Sequence, residues 1–260
     1  MEYIASVQNP KVKEWAKLHS RKEREKKGCF IVEGVHLVEE ALKTGNVEHI
    51  LLEEGKDLPE ELKEILDDGH VVRVSTAVME KIGDTETPQG IAAIVKMEKE
   101  GYIPQEPFLL LLLDRIQDPG NLGTLIRTAD AAGFHGVALG EGCVDPYNGK
   151  AIRASMGSLF HLPVYQVVAE NYLHELRQKV PHVSIVGTSL KESKPYDQIS
   201  YKDSAVLIIG NEGSGVSPNL LSLTDHNVVI PIYGKAESLN AGIAGSILMY
   251  EAVRQRKLHD

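Results

Sequence analysis

The sequence has few cysteines and no long apolar stretch. Two cysteines occur among 260 residues, Cys29 and Cys143, and neither belongs to a Cys-x-x-Cys pair, so a disulfide framework and a cysteine-rich zinc site are excluded. The longest apolar run, residues 108–113, is six residues long, whereas a membrane-spanning helix needs about 20. The N-terminus has no stretch typical of a signal peptide. We therefore expect a reduced, soluble protein of the cytoplasm.

Basic side chains are outnumbered by acidic ones. Lys and Arg total 28 against 37 Asp and Glu, a net charge of −9, which excludes a uniformly basic binder of nucleic acid. The charge is uneven, because residues 1–28 hold eight basic and four acidic side chains, whereas residues 33–100 hold seven and seventeen. Residues 9–27 are predicted to form a basic helix that either contacts an RNA backbone or is a solvated surface helix. The candidate RNA-binding residues are Lys11, Lys13, Arg21, Lys22 and Arg24.

The pattern predicts an α/β protein of two domains. Residues 1–97 form a small α/β domain, residues 98–107 a charged linker with two prolines, and residues 108–260 a larger domain. In the larger domain, strands are predicted at 108–113, 136–140, 164–168, 184–188, 204–209 and 227–232, and helices at 122–132, 150–159, 171–180, 217–223 and 239–257. Because several strands are almost continuously apolar, we expect a mostly parallel sheet covered on both faces.

In a parallel sheet, ligands bind beyond the carboxyl ends of the strands, so the loops there are the candidate site. The first loop, residues 114–121, follows a buried strand, and Asn121 is predicted to cap the next helix. Arg127 points away from the apolar stripe of that helix. It is either a solvated surface residue or a ligand for a phosphate or a ribose oxygen.

The second loop follows the strand at 204–209. Its glycines, Gly210, Gly213 and Gly215, allow a ligand to approach the backbone, although the spacing is not that of a phosphate-binding Walker loop. Glu212 is the one carboxylate in this loop. A plain glycine turn with an exposed glutamate explains the spacing equally well.

The third loop, residues 231–238, leads into the last helix, which Ser238 is predicted to cap, with Asn240 beside it. The helix opens with small residues that include Gly242 and Gly245. Glycine weakens a helix by about 1 kcal/mol relative to alanine, so a ligand or another helix is expected to approach the backbone there. Tight packing of the helix on the sheet explains the glycines as well.

Taken together, the three loops resemble the SpoU (TrmH) family of RNA 2′-O-ribose methyltransferases, in the SPOUT superfamily. The matching motifs are Asp-Pro-Gly-Asn-Leu-Gly-Thr-Leu-Ile-Arg-Thr-Ala, Gly-Asn-Glu-Gly-Ser-Gly and Ile-Pro-Ile-x-Gly-x-x-x-Ser-Leu-Asn, which occur in the family's order within residues 108–257. Phe-Ile-Val-Glu-Gly at 30–34 and Glu-Glu-Ala-Leu at 39–42 look like the small RNA-binding domain of many members. After Asn240 the sequence departs from the family, since Ala-Gly-Ile-Ala-Gly replaces the more usual Val-Ser-Val-Ala-Ala.

The resemblance implies a deep trefoil knot in the larger domain, S-adenosylmethionine bound in that knot, and a homodimer. The implied catalytic residues are Asn121, Arg127, Glu212, Ser238 and Asn240. The implied cofactor-binding residues are Thr188, Gly210, Asn211, Ile230 and Leu239.

The implied reaction is methyl transfer to a ribose 2′-hydroxyl of ribosomal or transfer RNA, with ribosomal RNA preferred. No metal is expected, because the sulfonium methyl is already activated. No membrane partner is expected, because the longest apolar run is too short to span a bilayer. The family's usual assignment makes Arg127 the base, whereas a guanidinium pKa above about 12 favours a role in orienting the hydroxyl, so both roles stay open. Glu212 is expected to hold Asn121 or the loop.

Two alternative functions are compatible with parts of the sequence. A Rossmann-type enzyme finds support in Val137-Ala-Leu-Gly-Glu-Gly142, but this segment lacks the third glycine and a following helix start. A non-catalytic RNA-binding or ribosome-assembly factor could keep the same fold. The presence of all five implied catalytic residues argues against the second alternative.

Overall fold

The computed structural model of the protein describes residues 2–63, 71–85, 88–97, 102–190 and 193–257. The chain divides into two compact units. The first unit comprises Met1–Glu98 and Tyr147–Phe160, and the second comprises Lys99–Pro146 and His161–Asp260. Residues 147–160, which the sequence prediction assigned to the larger domain, group with the first unit, and residues 98–101 of the predicted linker lie outside the described residues.

The first unit is built on a five-stranded mixed sheet. Its strands are β1 (Glu2–Ile4), β2 (Cys29–Glu33), β3 (Val47–Glu53), β4 (Val71–Val74) and β5 (Ile91–Lys96). Its helices within residues 2–97 are α1 (Pro10–Lys17), α2 (Arg21–Lys27), α3 (Val35–Lys43), α4 (Glu60–Lys63) and α5 (Thr76–Ile82). The strand order is β1-β4-β3-β5-β2, with β5 antiparallel to both of its neighbours. The sequence did not predict β1, because this strand is only three residues long and two of those residues are exposed.

The basic helix predicted over residues 9–27 is wrong as one helix, because the chain forms α1 and α2 with a break between them. Ser20 has an extended backbone and stands at the N-cap of α2. The Arg24 guanidinium donates hydrogen bonds to the carbonyls of Leu18 (2.7 Å) and His19 (2.9 Å). These bonds satisfy two carbonyls that a continuous helix would have paired with backbone N–H groups.

The second unit is built on a seven-stranded sheet in which every pair of neighbours is parallel. Its strands are β6 (Leu109–Asp114), β7 (Gly136–Leu139), β8 (Val164–Gln166), β9 (Ser184–Thr188), β10 (Lys194–Pro195), β11 (Ala205–Gly210) and β12 (His226–Val229). The remaining helices are α6 (Pro119–Ala131), α7 (Gly149–Ser155), α8 (Ala169–Lys179), α9 (Pro218–Leu221) and α10 (Ala241–Lys257), of which α7 groups with the first unit. The order is β10-β12-β9-β11-β6-β7-β8.

The sheet confirms the predicted α/β class and its parallel strands. Every residue of β6 and β11 is buried, as expected for apolar strands covered on both faces. The two strands pair in register from Leu109 opposite Ala205 to Asp114 opposite Gly210, so both end at the same level of the sheet. The trefoil knot implied by the resemblance stays a prediction.

The helices α6 and α10 pack against each other through small residues. A Cβ atom at Gly245 would overlap the Cδ2 atom of Leu125, and one at Gly242 would lie 3.3 Å from Thr124 Cγ2. The two glycines therefore admit a neighbouring helix. Gly245 also packs on the sheet, because its Cβ would lie 3.4 Å from Ile209 Cγ1 of β11, so two of the explanations that the sequence left open apply.

Within the described residues, no helix combines the length and the apolar content that crossing a lipid bilayer requires.

Candidate active site

The first two candidate loops leave the sheet side by side. Asp114 ends β6 and Gly210 ends β11, and these residues are register partners. Parallel neighbours therefore deliver the loop before α6 and the loop before α9 to one edge of the sheet, as the ligand-binding rule for such sheets requires.

Glu212 joins these two loops. Its Oε1 atom accepts hydrogen bonds from Asn121 Nδ2 (3.0 Å) and Asp118 N (3.2 Å), and its Oε2 atom accepts one from Gln117 N (3.3 Å). Partial burial raises the pKa of the Glu212 carboxyl, but the bonds from Asn121 and the backbone outweigh that effect, so its pKa lies below the ordinary value. The expectation that Glu212 holds Asn121 and the loop agrees with this geometry.

Asn121 also reaches the residue before α10. Its Oδ1 atom accepts a hydrogen bond of 2.8 Å from Asn240 Nδ2. The side chains of Glu212, Asn121 and Asn240 thus form one hydrogen-bonded chain that links three distant segments of sequence.

Both predicted helix caps are wrong by a few residues. Asp118, not Asn121, caps α6, since its Oδ1 accepts from Asn121 N at 2.8 Å and Pro119 supplies the first turn. Asn240, not Ser238, accepts from the first turn of α10, at Ile243 N (3.2 Å). Because Asp118 takes the capping role, the side chain of Asn121 is available to bridge Glu212 and Asn240.

Arg127 and Ser238 lie outside this hydrogen-bonded chain. Arg127 is exposed on α6, as its position opposite the apolar stripe predicted. Ser238 is exposed in the segment before α10. Neither side chain bonds to any other residue within the part of the chain that the structure describes, so both are available to a ligand.

The predicted cofactor-binding residues stand at the ends of three strands and in the loops that follow. Thr188 ends β9 and donates its hydroxyl to the carbonyl of Ile208 (3.2 Å). Gly210 ends β11, and a Cβ atom there would overlap the backbone of Gly215 and Val216, so glycine is required by the chain's own sharp turn.

Asn211 organises that turn. Its Oδ1 atom accepts hydrogen bonds from the backbone N–H groups of Gly213 and Ser214, both at 3.0 Å. The backbones of Asn211 and Gly215 also pair with each other. The side chain of Asn211 is therefore already used by the fold.

The segment from Ile230 to Leu239 offers the groups that a nucleoside cofactor needs. It has no regular secondary structure and follows β12 directly. Among the described residues, no partner bonds to the backbone N–H and C=O groups of residues 231–239. Leu239 adds an apolar side chain that is 38% exposed. This open backbone beside apolar surface fits an adenosine with a methionine tail.

The predicted RNA-binding residues of the first unit differ in whether their side chains are exposed and whether they form ion pairs. Arg24 is buried and bonded within the fold, which corrects the expectation of a surface cation. Lys11 pairs with Glu2 (2.8 Å) and Arg21 with Glu25 (2.7 Å). Lys13 and Lys22 are exposed and pair with no acidic side chain among the described residues.

Two family models match the chain. One, the SpoU rRNA Methylase family, covers residues 108–250, and the other, an MRM3-like substrate binding domain, covers residues 9–93. The chain belongs to the SpoU family of methylases. The resemblance predicted from the three motifs is thereby confirmed, and each half of this SpoU-family protein has its own match.

Individual relatives extend over almost the whole chain. The protein is 45% identical over 251 residues to 23S rRNA (guanosine(2553)-2′-O)-methyltransferase RlmP of Bacillus subtilis, which covers 96% of this chain and 98% of the relative. It is 34% identical to 23S rRNA (uridine(2479)-2′-O)-methyltransferase of Streptomyces viridochromogenes, over 95% of this chain and 91% of the relative. A crystal structure of the SpoU methyltransferase AviRb from that organism, with the cofactor AdoMet, superposes with a TM-score of 0.87 at 32% identity, over 96% of this chain and 99% of that one.

The Rossmann-type alternative is not supported. Its glycines follow β7, which has β8 as its neighbour at the edge of the sheet. Turns and irregular structure occupy residues 140–148, and the next helix starts only at Gly149. A dinucleotide site would need a helix that starts directly at the glycine loop.

Proposed function

We propose that the protein transfers the methyl group of S-adenosylmethionine to a ribose 2′-hydroxyl of 23S ribosomal RNA in the cytoplasm. The observation that carries the proposal is the hydrogen-bonded chain Glu212–Asn121–Asn240. Arg127 follows Asn121 by six residues on the same helix, α6, and its side chain is exposed. Membership of the SpoU family and relatives named as 23S rRNA 2′-O-methyltransferases support the RNA class and the acceptor oxygen.

S-adenosylmethionine supplies a methyl group that its sulfonium has already activated. The open backbone of residues 231–239 would hold the cofactor, with Ile230 and Leu239 at its two ends. Thr188, Gly210 and Asn211 would border it from the neighbouring strand ends. Because Thr188 and Gly210 end strands of the sheet, they would be held in place before the cofactor binds.

The protein's own residues then have to place the ribose oxygen in line with the methyl–sulfur bond. Such positioning can lower a barrier by roughly 7–11 kcal/mol. Arg127 would hold the 2′-oxygen and the neighbouring phosphate through its planar set of donors. As the methyl–oxygen bond forms, the methyl–sulfur bond would break and the hydroxyl proton would be lost to water. Ser238 and Asn240 would contact the nucleotide, while Glu212 and Asn121 keep Asn240 in place.

The first unit would bind the RNA backbone. Lys13 and Lys22, exposed and unpaired in the described part of the chain, supply charge for phosphates, and the match to a substrate binding domain supports this role. Removal of one phosphate contact makes the plot of log affinity against log salt concentration shallower, by a slope of about 1. Lys13→Gln and Lys22→Gln should therefore each flatten the plot of log affinity against log salt, whereas Lys202→Gln in the second unit should not.

The protein would act as a homodimer in which a second copy of the chain covers the exposed face of α10. Ile243 and Tyr250 stand seven residues apart and therefore share one face of this helix, and they are 51% and 52% exposed. A second copy of the chain is the occupant that the family resemblance implies. Light scattering should give a dimer for the wild type and a monomer for Ile243→Glu with Tyr250→Glu. A monomeric wild type would contradict this part of the proposal.

Mapping of ribose methylation over total RNA, with and without the gene, tests the function directly. The proposal predicts the loss of one or a few 2′-O-methyl marks in 23S rRNA. Loss of a base methylation, or no change in any RNA, would overturn it. As a cheaper check, S-adenosylmethionine should raise the melting temperature, because a ligand that binds only the native state stabilises it.

A further inference from the structure

Arg115 has a backbone conformation that is rare for a residue with a side chain. It follows β6 directly, and its φ angle is 56°, in the left-handed region. Only glycine, and to a lesser extent Asn and Asp, adopt this region readily. A long side chain held there indicates that surrounding contacts offset the strain, which is common at functional sites.

The Arg115 side chain pairs with the residue before it, which is itself bonded to the start of α9. Its guanidinium donates to the buried carboxylate of Asp114, from Nε to Oδ1 at 3.1 Å and from Nη2 to Oδ2 at 3.2 Å. Asp114 Oδ2 also accepts from Ser217 N at 2.7 Å. The pair is thus anchored in the sheet and at the start of α9.

The same residue holds both ends of the turn that carries Glu212. Its Nη2 donates to the carbonyl of Gly215 (3.2 Å), and its own carbonyl accepts from Asn211 Nδ2 (2.9 Å). Asn211 and Gly215 close the turn between them, with Glu212 at the second position. A side chain and a carbonyl of one residue therefore fix where the Glu212 carboxylate stands relative to Asn121.

We propose that Arg115 is a positioning residue for the methyl transfer, which acts through Glu212 and touches neither RNA nor cofactor. The left-handed backbone is what lets one residue direct its carbonyl to Asn211 and its guanidinium to Gly215. This inference rests on the proposed function, because it assigns Arg115 a part in that reaction.

The inference is tested in the full-length protein with two substitutions, Arg115→Gly and Arg115→Ala. Each is made alone and in combination with Glu212→Gln. Glycine fits the left-handed backbone and alanine does not, so Arg115→Gly should melt at a higher temperature than Arg115→Ala. Both should nevertheless lose kcat by about 10-fold or more, because both lose a charge-assisted set of bonds, while KM for the RNA changes little. In the Glu212→Gln background, neither substitution should lower kcat further.

Two results would overturn the inference. An Arg115→Gly protein with wild-type kcat would show that only the backbone conformation matters. Losses that multiply with that of Glu212→Gln would show that Arg115 acts independently of Glu212. A wild-type protein that methylates no RNA is a separate outcome, since it contradicts the proposed function itself rather than the role of Arg115.

Discussion

Asn240 donates a hydrogen bond of 2.8 Å from its Nδ2 atom to the Oδ1 atom of Asn121, which lies 119 residues earlier in the chain. The orientation of the Asn121 amide is fixed, because its Nδ2 atom is bonded to Glu212. Asn121 can therefore accept from Asn240 but cannot turn to donate to it. The first turn of α6 and the start of α10 are joined in one defined arrangement.

The substitution Asn240→Asp distinguishes the role of this hydrogen bond in catalysis from the role of Asn240 in the stability of α10. An aspartate still accepts from Ile243 N and suits a helix N-terminus, so the melting temperature should stay close to that of the wild type. It offers no donor to Asn121, and we expect kcat for methyl transfer to fall by about 10-fold. Steady-state kinetics measure kcat, and thermal unfolding is the control for stability. Unchanged kcat would mean that the link plays no part in the reaction.

Glu212→Gln should remove a pH-dependent part of the stability. Bonds from Asn121 and the backbone keep the pKa of Glu212 in the folded protein below the ordinary value of 4.5 despite its partial burial. A group with a lowered pKa stabilises the fold above its unfolded pKa, and this contribution is lost as the pH falls through the folded pKa.

Urea unfolding over a series of pH values checks the sign. Wild type should be more stable than Glu212→Gln by a constant amount from about pH 6 to about pH 8, and the difference should shrink only below about pH 4.5. A difference that is the same at all pH values would show that the charge of Glu212 does not contribute.

Gly245→Ala tests the close packing of α10 on α6. The added methyl group would overlap Leu125, which is fully buried and has little room to move. We expect a loss of about 1–3 kcal/mol in the free energy of unfolding, although alanine favours a helix more than glycine does. Gly234→Ala is the control, because no atom lies within 4 Å of its added Cβ, and it should change stability by less than about 0.5 kcal/mol. Equal stability of the two variants would contradict the packing.

Both thiols should be unreactive in the native protein. Burial raises the pKa of Cys29 to about 11 and that of Cys143 to about 11, so at pH 8 about one thiol in a thousand is ionised. A colorimetric thiol reagent should label neither cysteine rapidly at pH 8, and two per chain after unfolding. Fast labelling of either cysteine in the native protein would contradict this prediction.

Much of the architecture could be predicted from the sequence because its signals are local. The apolar run at 108–113 and the run at 204–209 became β6 and β11, each within one residue. The helix position of Arg127 followed from the 3.6-residue period, which placed its side chain outside the core.

The finer details of the site needed coordinates, because they depend on contacts between residues that are far apart in sequence. Asp118 and Asn121 are both good helix caps, and only the bonds to Glu212 and Asn240 decide which one serves. The left-handed backbone of Arg115 carries no sequence signal, since a glycine or asparagine would be the ordinary choice there. Arg24 looked like a surface cation because its partners are backbone carbonyls, which every sequence has.

The most direct test of the central claim is the transfer of a labelled methyl group from S-adenosylmethionine to 23S rRNA. The wild type is compared with Arg127→Ala and Lys202→Ala. Arg127 and Lys202 are both exposed, so neither substitution should change the melting temperature. Wild type and Lys202→Ala should form an alkali-resistant 2′-O-methylated dinucleotide at equal rates, and Arg127→Ala should be slower by about 100-fold or more. Methyl transfer by Arg127→Ala at the wild-type rate, or label on a base instead of a ribose, would contradict the account.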